Sequence, residues 1–426
     1  MDYLDELLAR QMPNEEETRK LAAISSAIIN KIDNICRNEN IDATCVEVGS
    51  VSKNTNLKSS DIDIFITFDR SYPVDYIEKK GLEIGHRVLE NGTEKYAEHP
   101  YVSGYIDGIK VDIVPAFKIG KGEKIVSTVD RTPLHTVYVN NNTDEKTIHD
   151  IRLLKVFLKS INVYGSEIAK SGFSGYLCEV LIIHFKSFGR FIEYMANLRG
   201  KLIIPEETID KFNEPVIIID PVDPLRNAGA AVSQENLSRL KLASRIYMKG
   251  RIDLFNHTPV VKRKRDTNIK IFIVEKPDII DDIIYPQAVR LKNRIWDIFQ
   301  ENGFIPTASE IYVGKDIEIL IEYKLEELPG IEIHKGPPVE SNEAIKFIDV
   351  WNSNPRLMRG PYIMDDRIYV DVKTRIRNME GIIRKELKNE DIGKNLNQFK
   401  DEIKILSIDE NSPLEVEKRF YSKYLF

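Results

Sequence analysis

The segment VGSVSKNTNLKSSDIDIF, residues 48–65, decides the fold class, because an apolar strand, a Gly-Ser turn and an aspartate-bearing strand follow one another in it. Side chains alternate along a strand, so Asp61 and Asp63 share one face, while Ile62, Ile64 and Ile66 point into a core. Two neighbouring carboxylates repel each other unless a cation lies between them, and hard oxygen ligands favour Mg²⁺. The alternative is that the pair is only the exposed start of a strand.

The Gly-Ser turn favours the metal-binding interpretation. Gly49 and Ser50 follow the apolar strand and precede a polar stretch that has the character of a helix start. Backbone N–H groups at such a turn, the Ser50 hydroxyl and the Lys53 ammonium suit the triphosphate of a nucleotide. We therefore predict that Gly49, Ser50 and Lys53 bind a nucleotide.

A third carboxylate lies in GIKVDIVP, residues 108–115, where Asp112 interrupts an apolar strand. A buried lone carboxylate is costly unless it is paired or binds a metal, although the other face of this strand could also be wet. Three carboxylates on adjacent strands can hold two Mg²⁺ ions, one activating an attacking hydroxyl and one stabilising the leaving pyrophosphate. The pattern predicts nucleotidyl transfer, with Asp61, Asp63 and Asp112 as catalytic metal ligands.

The flanking sequence predicts an α+β multidomain protein. Apolar spacing over residues 14–38 indicates a helix that Asn14 and Glu17 can cap, and strands are expected over 44–48, 61–68, 101–106 and 109–114, the last two joined by a tight turn at Asp107-Gly108. These elements form a first domain, residues 1–142, a nucleotidyltransferase palm with a mixed sheet and helices.

The rest of the chain divides into two further predicted domains. Residues 143–255 are mostly helical, with a helix expected after the prolines of IIDPVDPLRNAGAAVS, residues 218–233. Residues 256–426 mix strands such as 317–323 with helices around 287–300 and 341–351. The basic run KRKR, residues 262–265, is interpreted as a linker or an RNA-facing strip.

Composition restricts the partners and the compartment. The chain has 426 residues with 61 basic and 67 acidic side chains, so any surface that binds nucleic acid must be local. The three cysteines form no C-x-x-C pair, which favours a reducing cytoplasm. We expect no membrane association, because no signal peptide and no apolar stretch of about 18 residues is present.

Several motifs resemble a known family. The Gly-Ser turn, Asp-x-Asp and later lone Asp look like the signature of the polymerase-β-like nucleotidyltransferases. Further segments resemble the archaeal, class I CCA-adding enzymes: STVDRTPLH (127–135), RLLKVFLK (152–159), YGSE (164–167), SGFSGYLCE (171–179) and DPVDPLRN (220–227). The Gly-Gly-x-Val-Arg-Asp and Glu-Asp-x-x-Arg motifs of the bacterial and eukaryotic class are not found in the sequence.

The resemblance implies template-independent addition of C, C and A to the 3′ end of tRNA, with CTP and ATP as substrates and pyrophosphate as the leaving group. It implies that the nucleotide is held by Ser50, Lys53, His135, Lys155 and Tyr164, and that Arg226 reads the base. A guanidinium offers forked donors suited to the edge of cytosine or adenine. The alternatives are a packing role for His135, a solvated surface position for Lys155, and local pairing of Arg226 with Asp220 or Asp223.

The resemblance also implies a C-terminal RNA-binding domain that clasps the acceptor stem and T arm of tRNA, and a possible homodimer. Lys53 stands where the family often has arginine, so its phosphate contact would be a single point charge. Two other functions stay open: a poly(A) polymerase-like or oligoadenylate synthase-like enzyme that accepts ATP alone, and a non-catalytic RNA-binding relative. The second is disfavoured because all three carboxylates are present.

Overall fold

The structure is a computed structural model, and it describes residues 3–96, 99–120, 123, 125–206, 212–251, 268–326, 330–373, 379–407 and 414–422. The backbone contacts divide the chain into two compact units with a boundary near residue 258. Within the described residues, no helix combines the length and the apolar character that crossing a membrane requires.

A mixed five-stranded sheet forms the centre of the N-terminal part, in the order β1-β2-β5-β4-β3. Its strands are β1 (Ala43–Val48), β2 (Ile62–Phe68), β3 (Thr93–Tyr96), β4 (Pro100–Ile106) and β5 (Ile109–Phe117). Strands β2 and β5 are parallel, and the other neighbours are antiparallel. The predicted hairpin is confirmed: Asp107 and Gly108 both have positive φ between β4 and β5, as a tight two-residue turn requires.

Helices α2 (Glu15–Asn38) and α4 (Val74–Val88) cover one face of this sheet, and the N-terminal part also contains α1 (Tyr3–Gln11) and the single turn α3 (Gly49–Ser52). The predicted cap of α2 is confirmed, because the Asn14 side chain accepts a hydrogen bond from the Glu17 N–H. Ile62, Ile64 and Ile66 are fully buried in the core that includes the apolar faces of α2 and α4. The alternate side chains of β2 therefore lie on the opposite face, as predicted.

The middle of the chain is mostly helical, as predicted: α5 (Arg131–Asn141), α6 (Glu145–Ser160), α7 (Gly175–Phe185), α8 (Phe188–Asn197) and α9 (Gln234–Met248), with strands β6 (Leu202–Ile204), β7 (Val216–Asp220) and β8 (Asp223–Asn227). Residues 218–233 differ from the expectation, because they form the β7–β8 hairpin and α9 begins only after Ser233. The Asn227 side chain stabilises this hairpin by bonding the backbone of Val216 and Ile218.

The second unit is an α+β structure, as predicted. Its strands are β9 (Asn268–Glu275), β10 (Pro306–Val313), β11 (Asp316–Tyr323), β12 (Ile331–Pro338), β13 (Leu357–Met364), β14 (Arg367–Lys373) and β15 (Lys404–Ser407). They form sheets in the orders β10-β11-β9-β15 and β12-β14-β13. Its helices are α10 (Asp281–Glu301), α11 (Ala344–Asn352), α12 (Met379–Leu387) and α13 (Glu415–Ser422). The basic run at residues 262–265 lies outside the described residues.

Candidate active site

The structure brings the three predicted carboxylates together on one face of the sheet. Asp63 in β2 lies directly opposite Asp112 in β5 in the parallel register, and Asp61 immediately precedes β2. Below them on this face lies a small apolar cluster of Val48, Phe65, Val114 and Ala116. The parallel pairing of β2 with β5 therefore creates an acidic site from residues that lie 49 positions apart, between Asp63 and Asp112.

The carboxylates carry more negative charge than their protein neighbours neutralise. Burial, with Asp112 and Asp61 nearby, raises the pKa of Asp63 to about 7, although Lys110 and Lys53 oppose the rise. The Lys110 ammonium lies 2.8 Å from Asp112 and 3.1 Å from Asp61, and the Ser103 hydroxyl donates to Asp112 at 2.6 Å. A further cation beside Asp63 would therefore favour the ionised form of this carboxyl.

Gly49 permits the close approach of the turn to this acidic group. It has a φ of +77°, and a Cβ at this position would lie 2.2 Å from Asp63 Oδ2. The chain then makes the single turn of α3, and Ser50 accepts a backbone hydrogen bond from Thr55. Glycine at position 49 thus allows the turn at Ser50 to lie against Asp63, one of the predicted metal ligands.

Lys53 follows this turn and lies in a buried group of charges. Its ammonium is 2.5 Å from Glu179 Oε2 and 5.7 Å from the centre of the Tyr176 ring.

Lys155 is buried as well, so the alternative of a solvated surface lysine is excluded: its ammonium contacts Thr55 and Glu179. Helix α6 is buried on every side from Ile151 to Leu158, so Lys155 has no open face. A triphosphate contact from Lys155 would require its ammonium to leave Thr55 and Glu179.

Asp220 is the centre of a second buried group. It is fully buried and accepts hydrogen bonds from Arg226 at 2.7 Å, from the Tyr176 hydroxyl at 2.9 Å and from the Val222 N–H at 3.0 Å. His135 Nε2 lies 2.9 Å from the same carboxylate. Burial opposes its ionisation, but these partners hold the pKa of Asp220 well below its usual range.

His135 and Arg226 therefore belong to one network. The His135 ring stacks on Tyr176 with 3.7 Å between the ring centres, and burial lowers the pKa of His135 although Asp220 opposes this. Arg226 makes the local pair with Asp220 that the sequence left open, and its side chain keeps 35% of its surface exposed. Asp223, the other possible partner, instead pairs with Arg131 at 3.0 Å.

Tyr164 lies beside the lysine group rather than beside the carboxylates of the sheet. Its hydroxyl is near Gly175, where an added Cβ would be 3.1 Å from it and 3.7 Å from the Lys155 ammonium. Burial raises the pKa of Tyr164, and the Lys159 ammonium lies 5.5 Å from the centre of its ring. Tyr164 thus stays a neutral phenol in this environment.

The donor set of Asp61, Asp63 and Asp112 suits a divalent metal ion by its chemistry. Carboxylate oxygens are the ligands that Mg²⁺ prefers, and burial together with the neighbouring Asp112 and Asp61 carboxylates raises the pKa of Asp63. Across the described parts of the chain, no three His, Cys, Asp or Glu side chains are arranged so that they could hold a metal ion without moving. Metal binding would therefore require the Lys110 ammonium to move away from Asp61 and Asp112.

Three family models match successive parts of the chain. The nucleotidyltransferase domain matches residues 29–135, the second domain of tRNA nucleotidyltransferase matches 149–256, and the C-terminal domain of the CCA-adding enzyme matches 265–407. The CCA-adding enzyme of Picrophilus torridus is 54% identical over 429 residues, which cover all of both chains. The chain belongs to the CCA-adding enzyme family.

Other family members are similar over most of their length. The CCA-adding enzyme of Thermoplasma acidophilum is 46% identical and covers 96% of this chain and 95% of its own. That of Methanocaldococcus jannaschii is 38% identical and covers 82% of this chain and 83% of its own.

Several residues of the site were missed by sequence reasoning. Tyr176 and Glu179 lie inside the motifs that carry the family resemblance, but their partners are distant in sequence. Lys110 could have been found, because it lies two residues before Asp112 and a strand places such residues on the same face. Thr55, which contacts both Lys155 and Glu179, had no signal in the sequence.

Proposed function

We propose that this chain adds C, C and A to the 3′ end of immature or damaged tRNA, without a nucleic-acid template, from CTP and ATP. The observation that carries the proposal is the full-length similarity to CCA-adding enzymes, at 54% identity over all of both chains. The grouping of Asp61, Asp63 and Asp112 beside the Gly49–Ser50 turn supports it.

In this proposal the 3′ hydroxyl of tRNA attacks the α-phosphorus of the nucleotide, and the bond to pyrophosphate breaks. Ser50 and Lys53, together with backbone N–H groups of the Gly49 turn, bind the triphosphate. Asp61, Asp63 and Asp112 would hold two Mg²⁺ ions. When bound, such ions lower the pKa of the attacking hydroxyl and stabilise the charge on pyrophosphate.

Base selection is assigned to Arg226. One of its nitrogens is paired with Asp220 at 2.7 Å, and Asp220 is itself fixed by Tyr176 and a backbone N–H. A guanidinium held at one end keeps further donors in a set plane for a base edge. His135, Lys155 and Tyr164 are proposed to complete the nucleotide site.

The remaining parts of the proposal concern tRNA and the assembly. Residues 256–426 are proposed to clasp the acceptor stem and T arm by their shape and phosphates, and residues 143–255 to complete the nucleotide site of the palm, residues 1–142. The homodimer and the cytoplasmic location stay predictions. Light scattering on the purified protein measures its molar mass in solution and so tests the homodimer.

An incorporation assay tests the proposed function. Purified protein, Mg²⁺ and a tRNA transcript that lacks its CCA end are incubated with labelled CTP, labelled ATP or both. We expect two C additions with CTP alone and completion by one A when ATP is added. Long tails made from ATP alone would identify a poly(A) polymerase-like enzyme, and no incorporation would favour the non-catalytic relative.

A further inference from the structure

A fully buried carboxylate outside the Asp61, Asp63 and Asp112 group connects the segment that follows the Gly49 turn with the helical region. Glu179 in α7 has no exposed surface, and its two oxygens contact Lys53 at 2.5 Å, Thr55 at 2.5 Å and Lys155 at 3.2 Å. Burying a charge is costly unless it is paired and hydrogen-bonded, and here every partner is itself buried. An apolar side chain here would leave the buried Lys53 and Lys155 ammonium groups without a counter-charge, so the position of Lys53 depends on this carboxylate.

The partners of Glu179 come from distant parts of the sequence. Lys53 and Thr55 belong to the segment that follows the Gly49 turn, whereas Lys155 and Glu179 belong to helices α6 and α7. Arg152 of α6 holds the same segment through the Asn56 carbonyl at 3.0 Å and the Asn54 side chain at 2.9 Å. The helical region thus fixes the segment after the turn along residues 53–56.

The two lysines of this group differ in their surroundings. Two ammonium groups share one carboxylate, so the group carries an excess positive charge beside the Ser50 turn. Lys155 is enclosed and bonds Thr55 twice. Lys53 ends the single turn of α3, which begins at Gly49 against Asp63, and its ammonium lies 5.7 Å from the centre of the Tyr176 ring. Lys53 is therefore the ammonium that faces the proposed triphosphate.

We propose that Glu179 is a positioning residue that holds Lys53 and the segment after the Ser50 turn where the nucleotide triphosphate binds. It acts through Lys53 and Thr55 and does not itself contact the nucleotide. The inference rests on the proposed function, because the role of Lys53 is part of it. The opposite possibility is that Glu179 competes with the triphosphate for Lys53, in which case its removal would strengthen nucleotide binding.

Steady-state kinetics of Glu179→Gln distinguish these two roles, because glutamine keeps the shape and an acceptor for Thr55 but removes the charge. We expect KM to rise about tenfold for the nucleotide while kcat changes less than about threefold, as loss of a ground-state binding contact predicts. CTP and ATP should be affected equally, since they share the triphosphate. A KM that is unchanged or lower, or a rise confined to one nucleotide, would overturn the proposal.

A second variant covers the case in which Glu179→Gln does not fold. Thr55→Val removes the hydroxyl between Lys155 and Glu179 without changing any charge, and we expect a smaller rise in KM, of about threefold. Thr67→Val is the matched control, because Thr67 is also buried and donates only to the Thr44 carbonyl in the sheet. Equal KM values for Thr55→Val and Thr67→Val would contradict the proposal.

The products of the wild-type protein separate a failure of this inference from a failure of the proposed function. If the wild type adds only A, the CCA proposal fails, and the role of Glu179 is then tested by the KM for ATP alone. If the wild type adds C, C and A while Glu179→Gln keeps its KM, only the inference about Glu179 fails.

Discussion

Asp63 and Asp220 are both aspartates in buried surroundings, and they are stabilised in opposite ways. Asp220 receives four hydrogen-bonding partners from the protein, and its pKa lies well below the usual range although burial opposes this. Asp63 has two carboxylates as neighbours, and burial and those neighbours raise its pKa to about 7. A buried carboxylate such as Asp220, whose oxygens accept hydrogen bonds from protein donors, has a structural role. A buried carboxylate such as Asp63, which lies beside other carboxylates, is suited to bind a cation.

The largest effect expected from this difference is on catalysis. Asp63→Asn should lower kcat by about a thousandfold or more, because removal of a metal-type ligand forfeits several kcal/mol of transition-state stabilisation. The single-turnover rate with tRNA and CTP measures this loss. Asp107→Asn, in the nearby hairpin at a φ that asparagine tolerates, should keep the wild-type rate. A rate within tenfold of wild type for Asp63→Asn would show that Asp63 is not part of the metal site.

Opposite effects on stability are expected for the metal-free protein. At pH 8, Asp63→Asn should raise the free energy of unfolding by about 2 kcal/mol, because an ionised Asp63 destabilises the folded state. Asp220→Asn should lower it by about 2–3 kcal/mol, since Arg226, Tyr176 and His135 lose a charged acceptor. Urea unfolding in the presence of a chelator measures both changes.

The pH dependence separates the two aspartates further. The folded-state pKa of Asp63 is raised, so the wild-type protein loses stability relative to Asp63→Asn as pH rises from about 4 to about 7. The folded-state pKa of Asp220 is lowered, so its contribution is complete above pH of about 4 and is lost at lower pH. If the free energy of unfolding at pH 8 changed in the same direction in Asp63→Asn and Asp220→Asn, the two aspartates would not be stabilised in opposite ways.

The smallest expected effect concerns base selection through the Asp220 network. Arg226→Lys keeps the charge and loses the planar fork, so discrimination of CTP and ATP against UTP should fall by about tenfold. The ratio of kcat/KM for CTP or ATP to kcat/KM for UTP measures this discrimination. The control is Arg239→Lys, which changes an arginine that pairs with Glu235 on the surface of α9. Unchanged discrimination in Arg226→Lys would leave Arg226 with a structural role only.

The local features of the fold and the acidic site could be predicted from the sequence. The alternation in β2 indicated that Asp63 and Ile64 face opposite sides, and turn chemistry placed the hairpin at Asp107-Gly108. These patterns depend on neighbours within a few residues. The helix α4 and the strand β3 were not predicted.

The lysine and Asp220 groups depend on tertiary packing that no local pattern encodes. Lys53 and Glu179 are 126 positions apart, and His135 and Asp220 are 85 positions apart. The sequence left a solvated surface position open as the alternative for Lys155, because lysines are mostly exposed. Helix α6 is buried all round from Ile151 to Leu158, so a lysine within it must find a partner inside the protein.

The central claim is that Asp61, Asp63 and Asp112 together form a site for divalent cations. Electron paramagnetic resonance of Mn²⁺, titrated into the protein with a non-hydrolysable CTP analogue, measures the number of bound ions directly. We expect two ions per chain for the wild type, and loss of binding in Asp63→Asn but not in Asp107→Asn. Equal Mn²⁺ binding by the wild type and Asp63→Asn would contradict it.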